Sequence, residues 1–141
     1  MRKSGRGFTM IELAIVISIL VFIVLVIVFP SVMGAREQKN LVSCGGNLKA
    51  IGEAITLYAR EHYARVPAED SLENDLKPAY ISNIPLCPSS NNTYDYQTDA
   101  NFMEYTILCQ GLNHKRAKAP TDYPRYTPGS GLDLGNKLNI H

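Results

Sequence analysis

Hydrophobic and polar positions change pattern along this chain, from a continuous apolar block to a helical stripe and then to short β-favouring runs. Residues 13–29 form a block of seventeen positions in which only Ser18 is polar. As a helix such a block rises about 26 Å, and with Phe8 to Ile11 added it reaches roughly 33 Å, enough to cross the hydrocarbon core of a bilayer. Beyond Pro30 the block gives way to a stripe, with Leu41, Cys44, Leu48, Ile51, Ile55, Tyr58 and His62 recurring every three or four residues, the spacing of one buried face on a helix. Lys39, Asn47, Lys49, Glu53, Arg60 and Glu61 fall largely off it. Read as one helix from Phe8 to about His62, the segment is roughly 80 Å long, more than so small a domain needs for its own core, and the excess predicts partners.

Val66-Pro67 ends the helical pattern, and Ser71 to Leu76 reads as a short capped helix stopped by Pro78. Tyr94 to Thr98 and Phe102 to Cys109 are rich in β-favouring residues and predict a small antiparallel sheet packed on the helix. From Ala119 onward Pro120, Pro124, Pro128 and the run Gly129 to Gly135 argue against regular structure. The fold class expected is α+β: a long N-terminal transmembrane helix continuing into a small exported domain with a short antiparallel sheet. Pro30 predicts a bend or loosening near it, with an end of the span there as the alternative. Gly45-Gly46, poor helix formers inside the stripe, predict close packing.

Charge sets the orientation. Arg2, Lys3 and Arg6 stand directly before the apolar block, which holds that end in the cytoplasm and predicts export of the C-terminal part. A secretory signal also begins with basic residues, but its apolar region is shorter, at about 7 to 15 residues. A cleavable signal ending near Val32 and Gly34 and a plain single-span anchor are therefore the lesser alternatives. Glu12 separates the readings, because a carboxylate in an apolar membrane segment costs about 2.5 to 3.5 kcal/mol and calls for a partner; snorkelling to the headgroups is its bland explanation.

Gly7-Phe8-Thr9-Met10-Ile11-Glu12-Leu13 resembles the leader and cleavage site of the type IV pilins and type II secretion pseudopilins. A looser similarity to short pseudopilin-like proteins runs from Cys44-Gly45-Gly46-Asn47-Leu48-Lys49-Ala50-Ile51-Gly52 to Tyr58, then through Pro67 and Leu86-Cys87-Pro88-Ser89. The resemblance implies that a prepilin peptidase cuts after Gly7 and that the new terminal residue, Phe8, is methylated. Glu12 becomes the fifth mature residue and neutralises the terminal amine of a neighbouring Phe8 in a filament, where water is scarce. The implied organisation is a leader over 1–7, a transmembrane and filament-core helix over 8–30, an amphipathic exported half of the helix over 31–63, and a small loop-rich domain over 64–141. Implied partners are further copies in a homo-oligomeric filament, other pseudopilins or pilins, the prepilin peptidase and an inner-membrane assembly platform. The small exported domain favours a pseudopilin of type II secretion over a major or minor pilin of a surface fibre for adhesion, motility or DNA uptake.

Candidate chemistry elsewhere is sparse. Three cysteines in an exported, oxidising setting predict one disulfide and one leftover thiol. Cys87 with Cys109 is favoured, closing a loop of about 23 residues for roughly 3 kcal/mol, and Cys44 with Cys87 is the rival. Cys44, Cys87, Cys109, His62, His114 and His141 show no paired ligand spacing, so no metal site is expected. Cys109 and His114 lack the constellation of a nucleophile and its base, so no enzyme is expected. The family resemblance raises calcium, for which Asp95, Asp99, Asp122 and Asp133 are acidic candidates without a legible cluster; no cofactor is expected. A formal charge of +1 and the three basic residues between Asn113 and Lys118 do not make a nucleic-acid surface. A tethered binding module using Tyr94, Tyr96, Tyr105, Tyr123 and Tyr126 as a face is the third reading.

Overall fold

The computed structural model describes residues 9–135, and the backbone alone at 28–31. The chain divides into two compact units whose boundary in sequence falls between Ala35 and Arg36. Helix α1 spans Met10–Glu61, 52 residues, and its backbone remains helical through Pro30. The helix thus runs on through Pro30.

In the first unit the apolar side chains of α1 are exposed, from Leu13, Ile15 and Val16 through Val26 and Ile27. None of its most apolar window is buried within the chain. An exposed, all-round apolar helix needs lipid or another subunit as cover.

In the second unit the predicted stripe is the core. Leu41, Cys44, Leu48, Ile51 and Ile55 are buried, Tyr58 is half-buried and His62 exposed. Helix α2, Leu72–Leu76, contributes the buried Leu76. Ser71 occupies its N-cap, but its hydroxyl donates to Asp75 Oδ2 at 2.6 Å rather than accepting from the helix backbone.

Four antiparallel strands follow in chain order: β1 Asp95–Thr98, β2 Tyr105–Leu108, β3 Arg125–Thr127 and β4 Gly131–Asp133. The first two match expectation. The second two correct it: the prolines and glycines after Ala119 do not abolish regular structure but turn the chain between strands, with Pro128 and Gly129 in the connection of the β3–β4 hairpin. Strands of three residues carry too little alternation to be read as such.

The register aligns Tyr96 with Ile107, Ile107 with Tyr126, and Tyr126 with Leu132. This row crosses the sheet towards α1, where Gly45 lies under Leu132 and Gly52 under Tyr126. Two glycines seven residues apart share a helix face, so they let the sheet approach the helix closely. Gly45 fulfils the packing expectation, whereas Gly46 faces open space.

Candidate functional site

Two regions carry candidate chemistry, the start of α1 and a buried cluster of sulfur and imidazole. Thr9 caps the helix: its Oγ1 accepts from the Glu12 backbone N–H at 3.3 Å and its carbonyl from Leu13 N–H at 3.1 Å. The T-x-x-E spacing is that of a capping box, and the acidic Glu12 in the first turn suits the positive end of the helix dipole. The Glu12 side chain is exposed, and among the described residues no cation pairs with it. Gly7 and Phe8, predicted for cleavage and methylation, lie outside the described residues.

The cluster assembles from four separate segments. Cys44 projects from α1; Cys87 opens a tight loop in which its N–H donates to Asn92 O and its carbonyl accepts from Asn91 N–H; Cys109 directly follows β2; and His114 precedes the 3₁₀ turn Lys115–Ala117. All four are buried. Their ligand atoms, three Sγ and one imidazole nitrogen, lie within 4.8 Å of one another. Cys87 Sγ is 3.5 Å from Cys109 Sγ and 3.5 Å from His114 Nε2, and Cys109 Sγ is 3.7 Å from the same nitrogen.

All three cysteines are free thiols, so the bridge expected between Cys87 and Cys109 is not formed here. Instead of a pair and a leftover thiol, the fold gathers all three sulfurs. A neighbouring Cys44 S–H and the Asn113 amide, whose Nδ2 donates to Cys109 Sγ at 3.4 Å, hold the Cys109 thiol below its ordinary pKa. Cys44 is pushed the other way, by its hydrogen bond to Cys109 and by burial. Cys109 and His114 do meet, yet each is only 1% exposed, too enclosed for a nucleophile and base that must reach a substrate.

Similarity to known proteins bears on the N-terminal region and on the whole length. The chain is 26% identical over 148 aligned positions to the type II secretion system core protein G of Pseudomonas aeruginosa, covering 96% of each. It is 29% identical over 86 positions to the ComG operon protein 3 homolog of Bacillus licheniformis, covering 61% of this chain and 84% of that one. No family model and no solved structure matches.

These similarities support a type IV pilin-like subunit. For a pilin-like subunit, the exposed apolar half of α1 is the membrane anchor, and a structural rather than chemical role suits the rest.

Other predicted residues fall into ordinary roles. Asp99 accepts backbone N–H groups from Met103 and Glu104, which hold its carboxyl below the usual range. Asp122 accepts from Gly111 N–H, Asp133 from Gly135 N–H, and Asp95 from the Gln97 amide. Each thus serves its own turn or strand, and among the described residues the calcium candidates do not converge. Tyr96 and Tyr105 are buried, donating to Pro67 O at 2.8 Å and Gly52 O at 3.0 Å, and Tyr94, Tyr123 and Tyr126 are half-buried against the core.

Proposed function

We propose that this chain is a pseudopilin of a type II secretion system, trimmed after Gly7, methylated at Phe8 and assembled through α1 into a filament anchored in the inner membrane. The similarity to core protein G carries the reading, because it extends over 96% of both chains rather than over the apolar segment alone. The capped start of α1 supports it. Thr9 holds Glu12 in the first helical turn, so its carboxylate is available at the start of the helix to neutralise a neighbour's terminal amine. The exposed apolar residues Leu13 to Ile27 suit two successive environments, lipid before assembly and packed helices after it.

In this reading the N-terminus faces the cytoplasm, as Arg2, Lys3 and Arg6 favour, and the second unit is exported. Prepilin peptidase, other pseudopilins and the membrane assembly platform are its partners. The similarity to the ComG operon protein 3 homolog supports a second reading, a pilin-like subunit of another filament, but it covers only 61% of the chain.

N-terminal mass analysis of the protein from its native membranes, with secretion assayed in a strain lacking it, tests the proposal. An N-methylated Phe8 start together with loss of exoprotein release is expected. A methylated start with intact release would move the protein to the second reading, and a start at Met1 or near Ala35 would overturn both.

A further inference from the structure

A tetrahedral zinc ion bound by thiolates at about 2.3 Å and imidazole at about 2.0 to 2.1 Å sets the ligand atoms roughly 3.8 Å apart for two sulfurs and roughly 3.5 Å for sulfur and nitrogen. The separations here are 3.5 Å between Cys87 and Cys109, and 3.5 and 3.7 Å from these sulfurs to His114 Nε2. The Cys44 sulfur completes the set within 4.8 Å. Three sulfurs and one nitrogen make the full complement of a closed structural site, with no position left for water or substrate.

We propose that Cys44, Cys87, Cys109 and His114 are the ligands of a structural zinc ion that ties α1 to the loop and sheet of the exported unit.

The surroundings of the ligands support it independently of their spacing. Ser89 Oγ donates to Glu37 Oε2 at 3.4 Å, which leaves Ser89 to accept from His114 Nδ1–H at 3.3 Å. That chain of carboxylate, hydroxyl and imidazole fixes the tautomer whose Nε2 lone pair points at the sulfurs, the outer arrangement that orients metal-binding histidines. Asn113 Nδ2 at Cys109 Sγ supplies a second outer hydrogen bond. Without an ion, the interior holds three sulfurs and an imidazole with only weak sulfur hydrogen bonds among them, whereas a single disulfide would leave one sulfur and the histidine over.

The chemistry selects the metal. Soft thiolates with one imidazole in a tetrahedral set favour zinc over calcium or magnesium, which take oxygen ligands. Burial at 0 to 1% for all four residues excludes exchange with a substrate and makes the role structural. The domain also has a use for it: after the apolar segment only about a hundred residues remain to bury a core, a size at which a metal or cross-link commonly supplements packing.

The test uses the full-length protein, extracted in detergent from membranes of expressing cells without chelator. Metal is counted by plasma mass spectrometry, and thiols by alkylation in denaturant without reductant. The expected result is about one zinc per chain and three alkylated cysteines, with zinc falling at least tenfold in His114→Ala and Cys44→Ser. One alkylated cysteine beside a linked pair, or zinc staying below about a tenth per chain after addition of zinc salt to the wild type, overturns the proposal. Because the decisive counts come from the wild type, misfolding of a variant does not obscure them. The outcome is also independent of whether the subunit serves secretion.

Discussion

Tyr126 packs its ring directly against Gly52, with no room on the helix for even a methyl group between them: a Cβ at Gly52 would come within 2.8 Å of the ring's Cδ1. The ring cannot swing away freely, since Tyr126 is held in β3 by pairing with Ile107 on one side and Leu132 on the other. Gly52→Ala should therefore destabilise the second unit by about 1 to 3 kcal/mol through overpacking, despite the better helix propensity of alanine. Thermal denaturation of the purified subunit checks it, with a midpoint lowered by roughly 5 to 15 °C expected. Gly46→Ala is the control: its Cβ meets open space, and the same change there should be neutral or stabilising by up to about 1 kcal/mol.

Glu12 gives a prediction of the opposite kind, about assembly and not folding. Its side chain is exposed at the start of α1. Glu12→Ala should leave membrane insertion and leader cleavage intact. Incorporation into filaments should fall at least about tenfold, because the amine of a neighbouring Phe8 would be left unpaired in an apolar setting. Site-specific crosslinking between subunits, normalised to membrane content, reads the difference, and wild-type crosslinking in the variant would sink the pairing.

What the sequence disclosed and what it withheld divide along chain distance. The stripe from Leu41 to Ile55 was legible because helical burial repeats within one turn. Strands β1 and β2 carry Tyr, Thr, Ile and Leu in runs long enough to read. Strands β3 and β4 are three residues each among prolines and glycines, so local propensity pointed the wrong way. The cluster of Cys44, Cys87, Cys109 and His114 was missed for a different reason. Its ligands come singly from a helix, a loop, a strand end and a turn, so no paired spacing exists to be found; the Pro88-Ser89 dipeptide beside Cys87 was the nearest signal, and it reads equally well as a plain turn. Gly52 and Tyr126 likewise meet only through the sheet's register.

The outer hydrogen bonds of the cluster are separable from its ligands. Ser89→Ala removes the acceptor for His114 Nδ1–H while leaving all four ligands in place. Zinc affinity measured by chelator competition should fall about 10- to 100-fold, and Ser89→Thr, which keeps the hydroxyl, should restore most of it. A purely structural serine would show no such rescue in affinity.

The pH dependence has a definite sign. In the folded chain the hydrogen bond from Cys44 holds the Cys109 thiol below its ordinary pKa. A depressed folded pKa means the unfolded chain binds more protons between the two values, so this group's contribution to stability is complete above the ordinary thiol pKa and fades as pH falls through the lowered one. Cys44, raised above the same ordinary value, keeps its proton in the folded chain and contributes nothing to the slope below pH 9. The metal-free protein should thus lose stability on acidification in proportion to one proton from this pair. Zinc must displace the remaining thiol protons, so the loaded protein should lose stability more steeply, with release of the ion on acidification. Denaturant titrations at pH 5, 6 and 7, with and without a chelator, compare the two slopes. A steeper acid loss with zinc bound is expected, and equal slopes would show that the thiols are not metal ligands.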